Sequence, residues 1–176
     1  VSEHPSNRRI DRIREPSFVE GLPEMELDEL RARRDDCLAE REYLSLLRRL
    51  LQGRAEILRA ELDARGTDGA KAPLVERLTA ILAGDEHPTS RGEVVRISIP
   101  EEEMLLARRR VERLVSDAAI SDPGVLDDEA LAEAIDALAT EEREVSTARR
   151  EVMDALDILQ EELKRRYKDD PALALR

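Results

Sequence analysis

The chain has 176 residues, a net charge of −12 and only 2% aromatic residues against 40% charged ones. Such a composition excludes an ordinary aromatic-rich globular core, and the acidic balance disfavours non-specific binding to DNA or to an anionic membrane. The single cysteine, Cys37, excludes an intramolecular disulfide and a thiolate metal cluster.

Residues 1–24 hold Pro5, Pro16, Gly21 and Pro23 with Arg8, Arg9, Arg12 and Arg14 among polar neighbours, and read as a disordered basic arm. A long helix is expected over 25–66. In it Leu30, Cys37, Leu44, Leu51 and Leu58 recur at a strict seven-residue spacing, the pattern of a coiled-coil seam. Cys37 then reads as a small buried apolar residue.

Residues 67–99 break the pattern. "GTDGAKAP" reads as linker, "LVERLTAILAG" as a short amphipathic helix, "DEHPTSRG" as a polar loop and "EVVRISIP" as a brief extended segment. A helix over 100–120 follows, with Pro100 at its start and acids in its first turn, and "SDPG" stops it. The last long helix is expected over 127–168, with Asp127 or Asp128 as its cap, leaving 169–176 as a tail. Its seam is Leu131, Ile135, Leu138, Val145, Val152, Leu156, Leu159 and Leu163. Two such helices separated by a long connection predict an all-α fold, an antiparallel helical hairpin or coiled coil with additional shorter helices. No apolar run approaches the ~20 residues of a membrane span and no secretory signal opens the chain, so the expected location is cytoplasmic.

One stretch of the first helix, "REYLSLLRRLLQGRAEIL", matches "EREVSTARREVMDALDIL" at a shift of 101 residues. Ser45 falls on Ser146, Arg48 on Arg149 and Arg49 on Arg150. Shared leucines carry little weight, but a shared Ser-x-x-Arg-Arg at equal seam register indicates an internal repeat. Positions i, i+4, i+7, i+11 and i+15 of a helix lie within roughly 80° of one another. In the first copy this stripe holds Arg41, Ser45, Arg48, Gln52 and Glu56; in the second it holds Glu142, Ser146, Arg149, Met153 and Asp157. On its own, such a shoulder would be a solvated face laced with ion pairs. Duplicated on two antiparallel helices, it makes two equivalent sets of guanidinium, hydroxyl and carboxylate groups. Arginine forks suit phosphate or the O6/N7 edge of guanine, a carboxylate accepts from guanine N1–H and N2–H₂, and serine bonds phosphate.

The pattern Glu-x3-Ser-x2-Arg-x3-Gln-x3-Asp, present twice, resembles that of the RsiG anti-sigma factors, cyclic di-GMP-responsive antagonists of the sporulation sigma factor WhiG. The stretches "YLSLLRRLLQGR" and "EREVSTARREVMDALDILQEELKRRY" are similar to that family's two ligand helices. The resemblance implies that Ser45, Arg48, Gln52, Glu56, Glu142, Ser146, Arg149 and Asp157 bind cyclic di-GMP, as two stacked molecules, and that the loaded protein grips a WhiG-like sigma factor. Two positions depart from the pattern. Arg41 stands where the family has Glu, and Met153 where it has Gln; these two are further candidate ligand contacts. Glu56 replaces Asp and can still accept hydrogen bonds.

No enzyme is expected. His4 and His87 lie in predicted loops beside prolines, and no Gly-rich phosphate loop, nucleophile elbow or metal-ligand spacing occurs, so no catalytic residue, metal or cofactor is assigned. Two other readings use the same seams: a ligand-independent coiled-coil scaffold, or an adaptor that binds RNA polymerase core. Gly53, inside the first helix, reads either as a site of close approach or as a tolerated glycine costing ~1 kcal/mol.

Overall fold

A computed structural model describes residues 5–66, 99–116 and 121–175. Among the described residues the helices are α1 (Pro5–Arg14), α2 (Leu27–Gly66), α3 (Glu101–Glu112) and α4 (Asp128–Asp169). Short 3₁₀ turns occur at Pro16–Phe18, Leu22–Glu24, Pro123–Val125 and Pro171–Leu175, and no strand is found among the described residues. The fold is all-α, with two long antiparallel helices and shorter helices beside them.

Local chemistry sets the helix ends. The Asp127 carboxylate accepts from the Ala130 N–H at 2.8 Å and so caps α4, whose first turn carries Asp128 and Glu129 and whose last carries Arg166 and Lys168. In α2, Asp28 and Glu29 open the helix and Arg65 closes it. Helix α3 begins after Pro100 with three glutamates and ends with Arg109 and Arg110. It stops at Glu112, short of the expected 120, because Leu114 N–H turns back to the Val111 carbonyl at 3.1 Å in a tighter turn. The expected linker, short helix and polar loop fall in 67–98, outside the described residues.

Contacts divide the chain into two units, one formed by Val1–Leu46, Ile99–Leu106 and Glu144–Arg176, the other by Leu47–Ser98 and Ala107–Arg143. In the first unit, Leu30, Cys37 and Leu44 of α2 are buried, as are Val145, Val152, Leu156, Leu159 and Leu163 of α4. Arg31 Nε donates to the Tyr167 hydroxyl at 3.1 Å, and Arg149 Nε donates to Ser45 Oγ at 3.0 Å, which fixes the antiparallel sense. In the second unit the buried residues are Leu47, Leu51, Ala55 and Leu58 of α2, Leu131, Ile135 and Leu138 of α4, and Ala107 and Val111 of α3. There Arg65 donates to the Leu126 carbonyl at 2.6 Å and to Asp128 at 3.0 Å, tying the end of α2 to the start of α4. The seven-residue seam of α2 and the expected seam of α4 are therefore both core.

The reading of 1–24 as a disordered arm requires correction. From Pro5 onward this segment is structured, as α1 and two 3₁₀ turns. Ile10 and Ile13, one helical turn apart, are buried, and so are Phe18 and Leu22. Three arginines of α1 that the composition presents as solvated meet acids: Arg12 with Asp36 at 3.0 Å, Arg14 with Glu151 at 2.8 Å, and Arg9 with both Glu40 at 3.3 Å and Glu103 at 2.7 Å. Gly21 takes φ 64°, a left-handed conformation that costs a side-chain-bearing residue free energy, and turns the chain into Leu22–Glu24. Arg166 holds the Leu22 carbonyl, while Glu162 binds Arg165 and Arg166. Those bonds, with Arg165 first, hold the Glu162 carboxyl down at about 2 against the opposing effect of burial.

Candidate functional site

The repeated stripe lies on α2 and α4, and its members fall into two clusters, one within each unit. The first contains Ser45 and Arg149. Ser45 Oγ donates to the Arg41 carbonyl one turn earlier at 2.7 Å and accepts from Arg149 Nε at 3.0 Å. The hydroxyl is thus fixed by its own helix and offers its lone pair across to α4. The Arg41 guanidinium turns to its neighbour Glu42, with Nη2 at 2.8 Å from Oε1.

The second cluster contains Arg48, Gln52 and Glu142. Arg48 Nε donates to Glu142 Oε1 at 2.8 Å, and Gln52 Nε2 donates to the same oxygen at 3.1 Å. Arg48 and Gln52 sit four residues apart on α2, so one carboxylate spans a single turn of the facing helix. The side chains are 42% exposed for Arg48 and 22% for Glu142, which leaves the pair within reach of a ligand. As an exposed pair it adds at most about 1 kcal/mol to stability.

Of the remaining stripe residues, Ser146 is half-buried, and Glu56, Met153 and Asp157 lie exposed and join neither cluster among the described residues. The structure thus brings together Ser45 with Arg149, and Arg48 with Gln52 and Glu142. What the sequence did not disclose is that each cluster is built from both copies. Glu142 of the second copy serves the arginine and glutamine of the first. An antiparallel alignment of the two copies carried that signal, because it sets the leading end of one stripe against the middle of the other.

Gly53 is not forced by packing: a Cβ added there would meet nothing within 4 Å. It lines a shallow groove of about 350 Å³ with Leu50, Ile57, Val111, Arg54 and Arg108. The buried acid Glu40 was also missed. Its signal was position, since it stands seven residues before the core residue Leu47.

Among the described residues no helix is long and apolar enough to cross a membrane, and no group of three or more His, Cys, Asp or Glu side chains could hold a metal ion. The fold and the stripe define an all-α protein of paired long helices with a duplicated polar shoulder. The sequence profile of the RsiG-like family matches residues 16–82 and 117–175, and the chain belongs to that family. Membership supports an anti-sigma role, regulatory rather than enzymatic, with a sigma factor as the class of partner. No curated protein matches the chain.

Proposed function

We propose that the protein is an anti-sigma factor that binds cyclic di-GMP on α2 and α4 and, when loaded, sequesters a WhiG-like sigma factor of the flagellar or sporulation type. The observation that carries this reading is the pairing of repeat residues across the two helices, Ser45 with Arg149 and Glu142 with Arg48 and Gln52. These are the groups that phosphate and a guanine edge require, donor forks and a hydroxyl for the anion, a carboxylate for N1–H and N2–H₂. A stacked pair of ligands carries about four negative charges, and an acidic protein can hold it only through local arginines such as these. The acidic surface in turn complements the basic surfaces with which sigma factors read promoters, so a bound sigma factor is withheld from DNA and polymerase.

Ligand control follows if sigma binds the loaded form better than the empty one. Because the ligand bonds to residues of both helices, it orders one against the other, and the sigma factor reads that arrangement.

Calorimetric titration with cyclic di-GMP is expected to give two ligands per chain. An Arg48→Ala/Arg149→Ala variant should lose binding while its circular dichroism stays helical. In pull-downs, sigma capture should rise with ligand for the wild type and not for the variant. Equal sigma affinity with and without ligand would leave a ligand-independent scaffold, and capture of core polymerase instead of free sigma would leave the adaptor.

A further inference from the structure

Arg48 and Arg149 hold equivalent places in the repeat, yet their surroundings differ. Arg48 is bonded to a carboxylate, Glu142, which Gln52 also binds. The counterpart of Glu142 in the first copy is Arg41, which cannot accept a hydrogen bond, and the counterpart of Gln52 in the second is Met153. Arg149 consequently bonds a neutral hydroxyl, Ser45 Oγ, at 3.0 Å. Arg41 turns to Glu42 and Arg48 to Glu142, so among the described residues Arg149 is the one stripe guanidinium with no carboxylate partner. Its charge stands half-buried beside Ser45, and the side chain of Met153, 36% exposed, lies one turn further along α4.

We infer that the two clusters, each within its own unit, are unequal binding sites for cyclic di-GMP and fill in order. The cluster built on Arg149 and Ser45 takes a phosphate of the first cyclic di-GMP, because a guanidinium facing a hydroxyl accepts an anion without giving up an ion pair. The cluster built on Arg48, Gln52 and Glu142 fills second, since its arginine must first be released from Glu142, whose charge also opposes an approaching phosphate. Glu142, once released, reads the guanine edge. Met153 adds apolar contact to the first cluster, where a glutamine would add a hydrogen bond. The chain's two departures from perfect repetition thus separate an anion-capturing cluster from a base-reading cluster. This inference rests on the cyclic di-GMP reading above.

Titration calorimetry on the full chain tests the order. The wild type should show two steps, the first tighter by about tenfold or more, and steeper in its salt dependence. Arg149→Ala should weaken the first step about 10- to 100-fold, the range expected for charge-assisted bonds. Arg149→Lys, which keeps the charge but loses the fork, should fall between wild type and Arg149→Ala. Arg48→Ala should leave the first step within about twofold and remove the second. Circular dichroism establishes that each variant is folded. Equal weakening by Arg48→Ala and Arg149→Ala, or a single step taking up both ligands in the wild type, would overturn the order of filling while keeping the ligand. A wild type that gives no heat and no change in melting temperature at high ligand would instead remove the cyclic di-GMP reading, and this inference with it.

Discussion

Replacing Arg9 with methionine is expected to lower the unfolding free energy by about 3 kcal/mol, the lower end of the loss seen when one partner of a buried ion pair is removed. Glu40 is 1% exposed and Arg9, its partner from α1, is 17% exposed in its side chain. Arg9 also reaches Glu103 of α3 at 2.7 Å, so one guanidinium joins three helices of its unit. Burial pulls the Arg9 pKa down, but the bond to Glu103 and the charges of Glu103, Glu40 and Asp36 outweigh it and leave the guanidinium more firmly protonated than usual. Methionine keeps most of the apolar stem and removes the charge, which strands Glu40 in an apolar site. Glu40 retains other contacts, and this places the loss at the lower end. Urea denaturation measures the loss. The double variant Arg9→Met/Glu40→Leu should recover most of it, because the cost is that of a charge left behind rather than of a missing contact. Arg12→Met, at the pair with Asp36 where side chains are 59% and 35% exposed, should cost less than about 1 kcal/mol. A similar small loss for Arg9→Met would mean that water or another cation satisfies Glu40.

The repeat also predicts a graded pair of core losses. Leu51 and Val152 occupy equivalent seam positions, each 0% exposed, one in each unit. Leu51→Ala removes three buried carbons and leaves a cavity between long helices whose backbones cannot easily close on it. The expected loss is about 3–5 kcal/mol, in the upper part of the leucine-to-alanine range. Val152→Ala removes two carbons and should cost about 2 kcal/mol. Chemical denaturation of the two single variants checks the order. Equal losses would show that seam packing is looser around Leu51 than its burial implies.

The long helices were legible because their signal is local and periodic. Leu30, Cys37, Leu44, Leu51 and Leu58 keep a seven-residue beat, and all five are buried. The caps and breakers at Asp127, Pro100 and Gly66 read directly as helix ends. Helix α1 was not legible, because Ile10 and Ile13 alone do not outweigh its four arginines and the prolines that follow at 16 and 23. It is held by Asp36, Glu40, Glu103 and Glu151, which lie far away in sequence. The stripe residues were legible as a repeat, since Ser-x-x-Arg-Arg recurs in register. Their partners were not. The bond between Arg48 and Glu142 depends on the alignment of two helices, and the unlike surroundings of Arg48 and Arg149 depend on what Arg41 and Met153 cannot do.

Cys37, fully buried in the α2 seam, gives the protein a built-in clock. Its pKa is pushed up to about 12, first by burial and then by the negative charges of Asp36 and Glu40, so the thiolate that alkylating reagents attack is nearly absent from the closed protein. Alkylation then waits for the surrounding helices to part, and its rate counts openings of that unit alone. A maleimide added to unmodified protein would therefore time the breathing of the helices around Arg9 and Glu40, with no label engineered into the chain.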